Sequence, residues 1–265
     1  MRIRSSVVLV AMAVGALSAC GGGDDGAAAT TTTATSDDGG PTGTLTVFAA
    51  ASLTDVFTDL GEQLEADAPG LDVQFNFAGS SALAAQVTQG APADVFASAN
   101  ESQMAVVTDA GLADGEPQVF AANLLQIAVP AGNPAGVTEL ADFAREDLTL
   151  AVCAPQVPCG AAAGDVFAAA GVAAVPDTLE EDVRAALTKV ELGEVDAALV
   201  YTTDVTAAGD AVEGIDVPEA GQAVNEYPIA VLADAPNPAA AAAFVELVRS
   251  GEGQQALADA GFRVP

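Results

Sequence analysis

The chain has 265 residues, of which 37 are aspartate or glutamate and 7 are lysine or arginine, so its formal net charge at pH 7 is −30. This balance argues against binding to nucleic acid or to anionic lipid through a polybasic patch, because both need clustered basic side chains. The chain has no histidine, which excludes Ser-His-Asp and Cys-His nucleophile systems as well as histidine-ligated metal sites.

The amino terminus has the pattern of a secretion signal. Two arginines precede an apolar run over 7–19 that is too short to span a bilayer. The run ends in LSAC, which resembles the bacterial lipobox, whose cysteine becomes the lipidated first residue. We therefore expect a lipoprotein signal peptide at 1–19 and a lipid anchor on Cys20. The alternative is an ordinary signal peptide that happens to precede a cysteine.

The segment after the signal is predicted to be a tether. Residues 20–43 are mostly glycine, threonine, aspartate and alanine, with almost no side chain that could be buried in a core. Such a composition is typical of a flexible linker. We expect it to hold the folded part away from the membrane without contributing to the fold.

From Thr44 onward, short β-rich runs alternate with amphipathic stretches, which is typical of an α/β domain. Strands are predicted at 45–48, 71–77, 94–97, 124–129, 148–152, 197–201 and 227–232. Helices are predicted at 53–64, 80–89, 101–110, 159–170, 181–192, 239–250 and 252–260. The folded part is longer than one typical core, which favours two α/β lobes.

Two serines follow predicted strands and open predicted helices. Ser52 comes after the first strand, and Ser80 begins the helix after the second. Unpaired N–H groups, the positive helix end and a hydroxyl together make an anion site without any formal positive charge. The alternative is plain N-capping, with Asp55 completing a capping box for Ser52. The pattern leaves both interpretations open.

Three later positions could add donors of the same kind. Cys159 lies between a proline and a glycine at one predicted helix start, and Val183 lies near a second predicted helix start. The alternative for the second helix is that Asp182, or Thr178 together with a glutamate, only caps it. Tyr201 ends an apolar strand and could donate its phenol, although an ordinary core tyrosine fits that position as well.

Cys153 and Cys159 are six residues apart and remain after Cys20 is assigned to the lipobox. In an exported protein two such cysteines are expected to pair, and two small buried thiols are the alternative. A redox-active pair is a further interpretation, although the spacing is not C-x-x-C. A metal site is not expected, because no histidine and no further cysteine could complete it.

Four segments resemble, in this order, the molybdate-binding proteins of ABC importers. They are VFAAASLTDVF (47–57), FAGSSALAAQVTQGAPADVFASAN (77–100), EDVRAALTKVELGEVDAALVYTTDV (181–205) and EYPIAV (226–231). The resemblance runs from about residue 45 to 262. It implies a type II periplasmic-binding-protein fold of class α/β, with the ligand cleft between two lobes. Lobe 1 would comprise 44–125 and 228–265, and lobe 2 would comprise 126–227.

The resemblance also implies a binding site. The family holds a tetrahedral oxyanion through hydroxyl and backbone amide donors. Carried over motif by motif, these donors are the hydroxyls of Ser52, Ser80 and Tyr201 and the backbone amides of Cys159 and Val183. The family usually has alanine where this chain has Cys159, and only the N–H is used there. A disulfide between Cys153 and Cys159 that braces this loop is a hypothesis.

The function implied is that of an exported lipoprotein, anchored at the outer face of the cell membrane. It would capture molybdate, and also tungstate, as a monomer and deliver it to an ABC permease. Molybdenum would be bound only as the oxyanion, without direct metal ligands and without a cofactor. An enzyme is not expected, since the chain has no P-loop, dinucleotide fingerprint or G-x-S-x-G motif. The alternatives are a binding protein for another oxyanion such as sulfate, and a thiol-redox lipoprotein using Cys153 and Cys159.

Overall fold

The computed structural model describes residues 40–265. The predicted signal peptide, the predicted lipidation site Cys20 and most of the predicted tether lie outside these residues. Between residue 40 and the carboxyl terminus, no helix is both long enough and apolar enough to cross a membrane.

Ten strands and eight α-helices make up this described part. The strands are β1 (Gly43–Ala50), β2 (Leu71–Ala78), β3 (Val95–Ala97), β4 (Gln118–Asn123), β5 (Leu125–Pro130), β6 (Leu150–Cys153), β7 (Thr178–Glu180), β8 (Ala197–Tyr201), β9 (Val212–Asp216) and β10 (Asn225–Val231). The helices are α1 (Thr54–Asp67), α2 (Ser80–Thr88), α3 (Glu101–Asp109), α4 (Pro158–Ala170), α5 (Val183–Glu191), α6 (Thr202–Ala208), α7 (Pro238–Arg249) and α8 (Gly251–Asp259).

The strands form two five-stranded sheets. The first has the order β2-β1-β3-β10-β4, with β1 parallel to both its neighbours and β10 antiparallel to both of its own. The second has the order β7-β6-β8-β5-β9, with β6 parallel and β5 antiparallel to their neighbours. Parallel pairs require crossover helices, and these cover the sheets. The predicted α/β class is confirmed.

Each sheet has its own hydrophobic core, and we call the two units the first and the second lobe. The first lobe contains the first sheet with α1, α2, α3, α7 and α8, and its buried apolar side chains form two clusters. The second lobe contains the second sheet with α4, α5 and α6, and one cluster fills it. Separate cores mean that each lobe is stabilised within itself and that the contact between them is a distinct surface.

The chain passes between the lobes at two neighbouring points. It leaves the first sheet at the end of β4, where Asn123 is followed after one residue by β5, and it returns between β9 and β10. The two crossings lie side by side, because Asn225 pairs with Asn123. The buried Asn123 side chain donates to Thr203 Oγ1 at 2.8 Å and accepts from Thr202 Oγ1 at 2.9 Å. Its amide thus ties the first crossing to the start of α6.

Candidate ligand-binding cleft

A small cavity lies between the two lobes. Its empty volume is about 200 Å³, against about 550 to 830 Å³ for the four other cavities compared. The first lobe contributes Ala50, Ala51, Ser52, Ala78, Gly79, Ser80 and Ala99, and the second contributes Val157, Pro158, Cys159, Asp182, Val183 and Tyr201. All five residues proposed from the sequence as oxyanion ligands therefore line one cavity. A space this small has no room for a large organic ligand in this arrangement of the lobes.

The fold places the ends of several helices around this cavity. β2 ends immediately before α2, and β6 and β7 end shortly before α4 and α5. The carboxyl ends of parallel strands share one edge of a sheet, so the helices that follow begin at that edge. Helix starts carry N–H groups without intrahelical partners and a partial positive charge. The lobes thus turn two sets of helix amino termini toward each other.

Ser52 is buried, and its hydroxyl lies 2.9 Å from the hydroxyl of Tyr227. The predicted capping box with Asp55 is wrong. Ser52 lies inside a short 3₁₀ turn, Ala51–Leu53, and α1 begins only at Thr54, with no side-chain cap. The 3₁₀ turn moves the helix start past Ser52, so its hydroxyl is not needed by the backbone.

Ser80 is the first residue of α2, and Gly79 occupies the N-cap position. The Ser80 hydroxyl oxygen accepts a hydrogen bond from the N–H of Ala99 at 3.0 Å, so Ser80 is not the N-cap of α2. Gly79 lies at the contact between the lobes. A Cβ at this position would collide with the carbonyl oxygen of Glu181 in the second lobe, and only glycine permits this approach.

Cys159 is the second residue of α4, after a proline at the first position. Its N–H has no carbonyl one turn earlier to bond, because it belongs to the first turn of the helix. In the structure Cys153 and Cys159 are joined by a disulfide, with 5.7 Å between their Cα atoms. The bridge connects the end of β6 to the start of α4, and both cysteines are almost fully buried.

Val183 is the first residue of α5, and Asp182 caps the helix by accepting the N–H of Ala185 at 2.9 Å. The alternative cap by Thr178 is wrong, because Thr178 lies in β7. Asp182 also lines the cavity and is its one carboxylate among the described lining residues. We did not foresee that position from the sequence; its capping bond directs Oδ1 to the helix backbone.

Tyr201 is the last residue of β8 and is 1% exposed. Its hydroxyl has no hydrogen-bond partner among the described residues. Burial raises the pKa of Tyr201 well above its usual value, so the side chain remains a neutral phenol. Tyr201 is therefore both a core tyrosine and a cavity residue, and its buried hydroxyl still lacks an acceptor.

The chain matches the family model for bacterial extracellular solute-binding proteins over residues 45–263. It belongs to this family. The molybdate-binding protein ModA of Mycobacterium tuberculosis is 43% identical over 96% of this chain and 95% of its own length. ModA of Escherichia coli is 33% identical over 84% of this chain and 90% of its own. The putative ABC transporter substrate-binding lipoprotein YvgL of Bacillus subtilis is 29% identical over 83% and 86%.

Solved structures agree on the fold of this solute-binding protein. The periplasmic molybdate-binding protein of Azotobacter vinelandii has a TM-score of 0.74 at 20% identity, covering 83% of this chain and 99% of that one. The sulfate-binding protein SubI of Mycobacterium tuberculosis has a TM-score of 0.73 at 20% identity, covering 83% and 86%. The two-lobed periplasmic-binding-protein fold and the resemblance to molybdate-binding proteins are confirmed. The relatives are named as binding proteins rather than enzymes.

The solute-binding protein has polar groups near the cavity that we did not predict from the sequence. Tyr227 is fully buried behind Ser52, and its ring meets that of Tyr201 edge to face with 6.1 Å between centroids. Arg184 pairs with Asp55 of the first lobe and with the buried Asp204, whose Oδ1 lies 3.2 Å from Nε. The only signal in the sequence was that these residues stand within or beside the matching segments.

Among residues 40–265, no lysine or arginine lines the cavity. The nearby guanidinium of Arg184 is engaged by two carboxylates instead. What the lining offers is hydroxyl groups and backbone amides, which are neutral donors fixed by the fold. Such an arrangement can hold a small anion.

Proposed function

We propose that this protein binds molybdate in the cavity between its lobes and delivers it to an ABC permease. The observation that carries the proposal is the convergence of three hydroxyls and two helix-start amides on one small cavity. This convergence occurs in a chain that is 43% identical to a molybdate-binding protein over nearly its whole length. The ligands are the hydroxyls of Ser52, Ser80 and Tyr201 and the N–H groups of Cys159 and Val183.

The donor set fits a fully ionised tetrahedral dianion. Each oxygen of such an ion accepts hydrogen bonds and donates none, and bonds to a charged acceptor are stronger than neutral ones. The starts of α2, α4 and α5 add favourable helix dipoles. Because no lysine or arginine among the described residues lines the cavity, hydroxyl groups and backbone amides hold the ion. The fold already fixes these groups, so their reorganisation on binding costs little.

The two lobes close on the ion about the paired crossings near Asn123 and Asn225, as in a hinged clamp. We assign residues 43–123 and 225–265 to one clamp half and 125–216 to the other. These boundaries differ by a few residues from those predicted from the sequence, because β5 of the second sheet begins at Leu125 and β10 of the first sheet begins at Asn225. The strong negative charge of the chain does not prevent capture, because solvated charges are screened over about 8–10 Å in physiological salt.

The protein also takes tungstate, and it works outside the cell as a monomer. It is anchored through a lipid on Cys20 after removal of residues 1–19. The relative YvgL, which is named a lipoprotein, supports the anchor. Metabolic labelling with a fatty-acid analogue tests it: wild type should carry the label and Cys20→Ser should not. A labelled Cys20→Ser protein would contradict the assignment.

Calorimetric titration of the purified protein with molybdate, tungstate, sulfate and hydrogen phosphate tests the ligand. Molybdate and tungstate should bind far more tightly than the other two. Molybdate at about 100 times its dissociation constant should raise the free energy of unfolding by about 2.7 kcal/mol. Sulfate binding as tightly as molybdate would overturn the proposal in favour of a sulfate-binding protein.

A further inference from the structure

Each of the two serine hydroxyls of the cavity has a buried hydrogen-bond partner. The oxygen of Ser80 accepts the N–H of Ala99 at 3.0 Å, and this bond runs in one direction only because an amide nitrogen donates. The oxygen of Ser52 lies 2.9 Å from the hydroxyl of Tyr227, which does not itself line the cavity. The Ser80 proton is therefore available to a ligand. The Ser52 proton is available only if Tyr227 is the donor in the bond between them.

Chemistry decides the direction of the bond between Ser52 and Tyr227. By geometry either oxygen could donate. A phenol is far more acidic than an aliphatic hydroxyl and is therefore the better donor. Tyr227 then gives its own proton to Ser52.

The Tyr227 hydroxyl is held in place by its surroundings. The ring is fully buried and packs edge to face against Phe120, Tyr201 and Phe262, with centroid distances of 6.3, 6.1 and 5.4 Å. Burial raises the pKa of Tyr227 above its usual value, so the phenol keeps its proton. A rigid donor in this position restricts the orientation of the Ser52 hydroxyl.

We propose that Tyr227 is a positioning residue that fixes the direction of the Ser52 hydroxyl. By donating to Ser52 Oγ it prevents Ser52 from donating back, so the Ser52 proton points into the cavity. Both serines then act as donors to the oxyanion. This inference rests on the proposed function and adds a residue that does not touch the ligand.

The arrangement also affects specificity. An oxyanion that carries a proton, such as hydrogen phosphate, needs an acceptor for its O–H. A Ser52 hydroxyl that could turn would direct its oxygen rather than its proton at such an ion, and the bond from Tyr227 disfavours that orientation. Asp182 is the carboxylate of the cavity lining, and its Oδ1 is engaged at the start of α5. Tyr227 thus favours a dianion without a proton.

A double-mutant cycle tests the proposal, with molybdate titrated into wild type, Tyr227→Phe, Ser52→Ala and the double variant. Tyr227→Phe should weaken molybdate binding by about two- to tenfold, the range for one hydrogen bond. The same change in the Ser52→Ala background should have no further effect. The ratio of the hydrogen phosphate to the molybdate dissociation constant, from competition, should fall in Tyr227→Phe.

The control is Phe244→Leu, which loosens the same hydrophobic core through its contacts with Phe57 and Phe75 and leaves the packing on Tyr227 intact. It should lower thermal stability and leave the phosphate-to-molybdate ratio unchanged. An equal loss of affinity for Tyr227→Phe with and without Ser52, or an unchanged ratio, would overturn the positioning role. Failure of wild type itself to bind molybdate would instead overturn the proposed function.

Tyr227→Phe could unfold the buried core, so a second variant keeps the test decisive. Site-specific 3-fluorotyrosine at position 227 keeps the ring and makes the hydroxyl a stronger donor and a weaker acceptor. The ratio of the hydrogen phosphate to the molybdate dissociation constant should be equal to or above that of wild type, because a stronger donor holds Ser52 more firmly. A lower ratio would mean that the substitution frees Ser52 to turn, and the proposal would fail.

Discussion

Arg184 in the second lobe forms an ion pair with Asp55 in the first lobe, so the cleft is bridged by charge beside the cavity. Arg184 follows Val183 directly, and Asp55 stands three residues after Ser52. Each partner therefore belongs to the same short segment as a proposed ligand. Closing of the lobes on an ion and formation of this pair are expected to accompany each other.

Replacement of Asp55 by asparagine should weaken molybdate binding by about 1.5- to fivefold, because the pair stabilises only the closed arrangement. The effect is small because the Asp55 side chain is 59% exposed and exposed ion pairs contribute about 0.2–1 kcal/mol. Calorimetry at low and at high salt measures it, and the difference from wild type should shrink as salt rises.

Asp142→Asn is the matched control for Asp55, since Asp142 pairs with Arg145 within the second lobe, 3.3 Å apart. It should leave molybdate affinity unchanged. Equal affinities of Asp55→Asn and wild type at low salt would show that the pair across the cleft does not assist closing.

Loss of either serine hydroxyl should weaken molybdate binding strongly. A hydrogen bond to a charged group contributes about 1.5–3 kcal/mol, so Ser52→Ala and Ser80→Ala should each raise the dissociation constant about ten- to 150-fold. Calorimetric titration measures the change. Ser81→Ala is the control, because Ser81 is the neighbour of Ser80 and does not line the cavity. Wild-type affinity in both cavity variants would refute the site.

The two cavity serines show most clearly what could be predicted from the sequence. Local pattern placed Ser52 and Ser80 after strands and before helices, and parallel strand order then brings such positions to one edge of a sheet. The prediction that Ser52 caps the following helix was wrong, because a 3₁₀ turn lies between β1 and α1. Local sequence pattern does not reveal this turn. Whether Thr178 or Asp182 caps α5 was also open, since only pairing with β6 places Thr178 in a strand.

The remaining features depend on contacts between distant parts of the chain. Tyr227 meets Ser52 across 175 residues of sequence, and Arg184 meets Asp55 across 129. No periodicity encodes either pairing. β7 and β9 were missed because most of their residues are partly or fully exposed, whereas the equally short β3 was predicted because its three apolar residues are all buried. Short exposed strands are stabilised by their neighbours in the sheet more than by their own sequence.

Removal of the disulfide should cost stability and spare binding. In the loop-closure model a bridge across six residues stabilises by about 2 kcal/mol, so Cys153→Ala/Cys159→Ala should lower the free energy of unfolding by about that amount. Molybdate affinity should change little, since only the N–H at position 159 is proposed as a ligand. Denaturant unfolding and calorimetry measure the two effects.

The same cysteines distinguish a structural role from a thiol-redox role. Both are about 2% exposed, whereas redox exchange requires attack by an accessible thiolate. Mass spectrometry after alkylation should find no free thiol at either position in the native exported protein. Two free thiols would contradict the bridge, and loss of oxyanion binding in the double variant would contradict the use of the backbone alone.

The stability of the protein should depend on pH through Asp204. Its side chain is fully buried, and Oδ2 accepts the N–H of Tyr201 at 3.0 Å. Burial raises the pKa of Asp204 from 3.8 to about 7, against the opposing effect of Arg184. Because the folded protein holds this proton more tightly than the unfolded chain, the contribution to stability is full below pH 4. It is lost as pH rises to about 7.

Asp204→Asn removes this titration and keeps the shape of the side chain. The free energy of unfolding of wild type minus that of the variant should therefore fall between about pH 4 and pH 7 and level off above. Subtraction cancels the titration of the other acidic residues, which both proteins share. Denaturant unfolding across this range measures the difference. A difference that stays flat, or that grows with pH, would mean that Asp204 is already ionised in the folded protein at low pH. Its ion pair with Arg184 would then outweigh the cost of its burial.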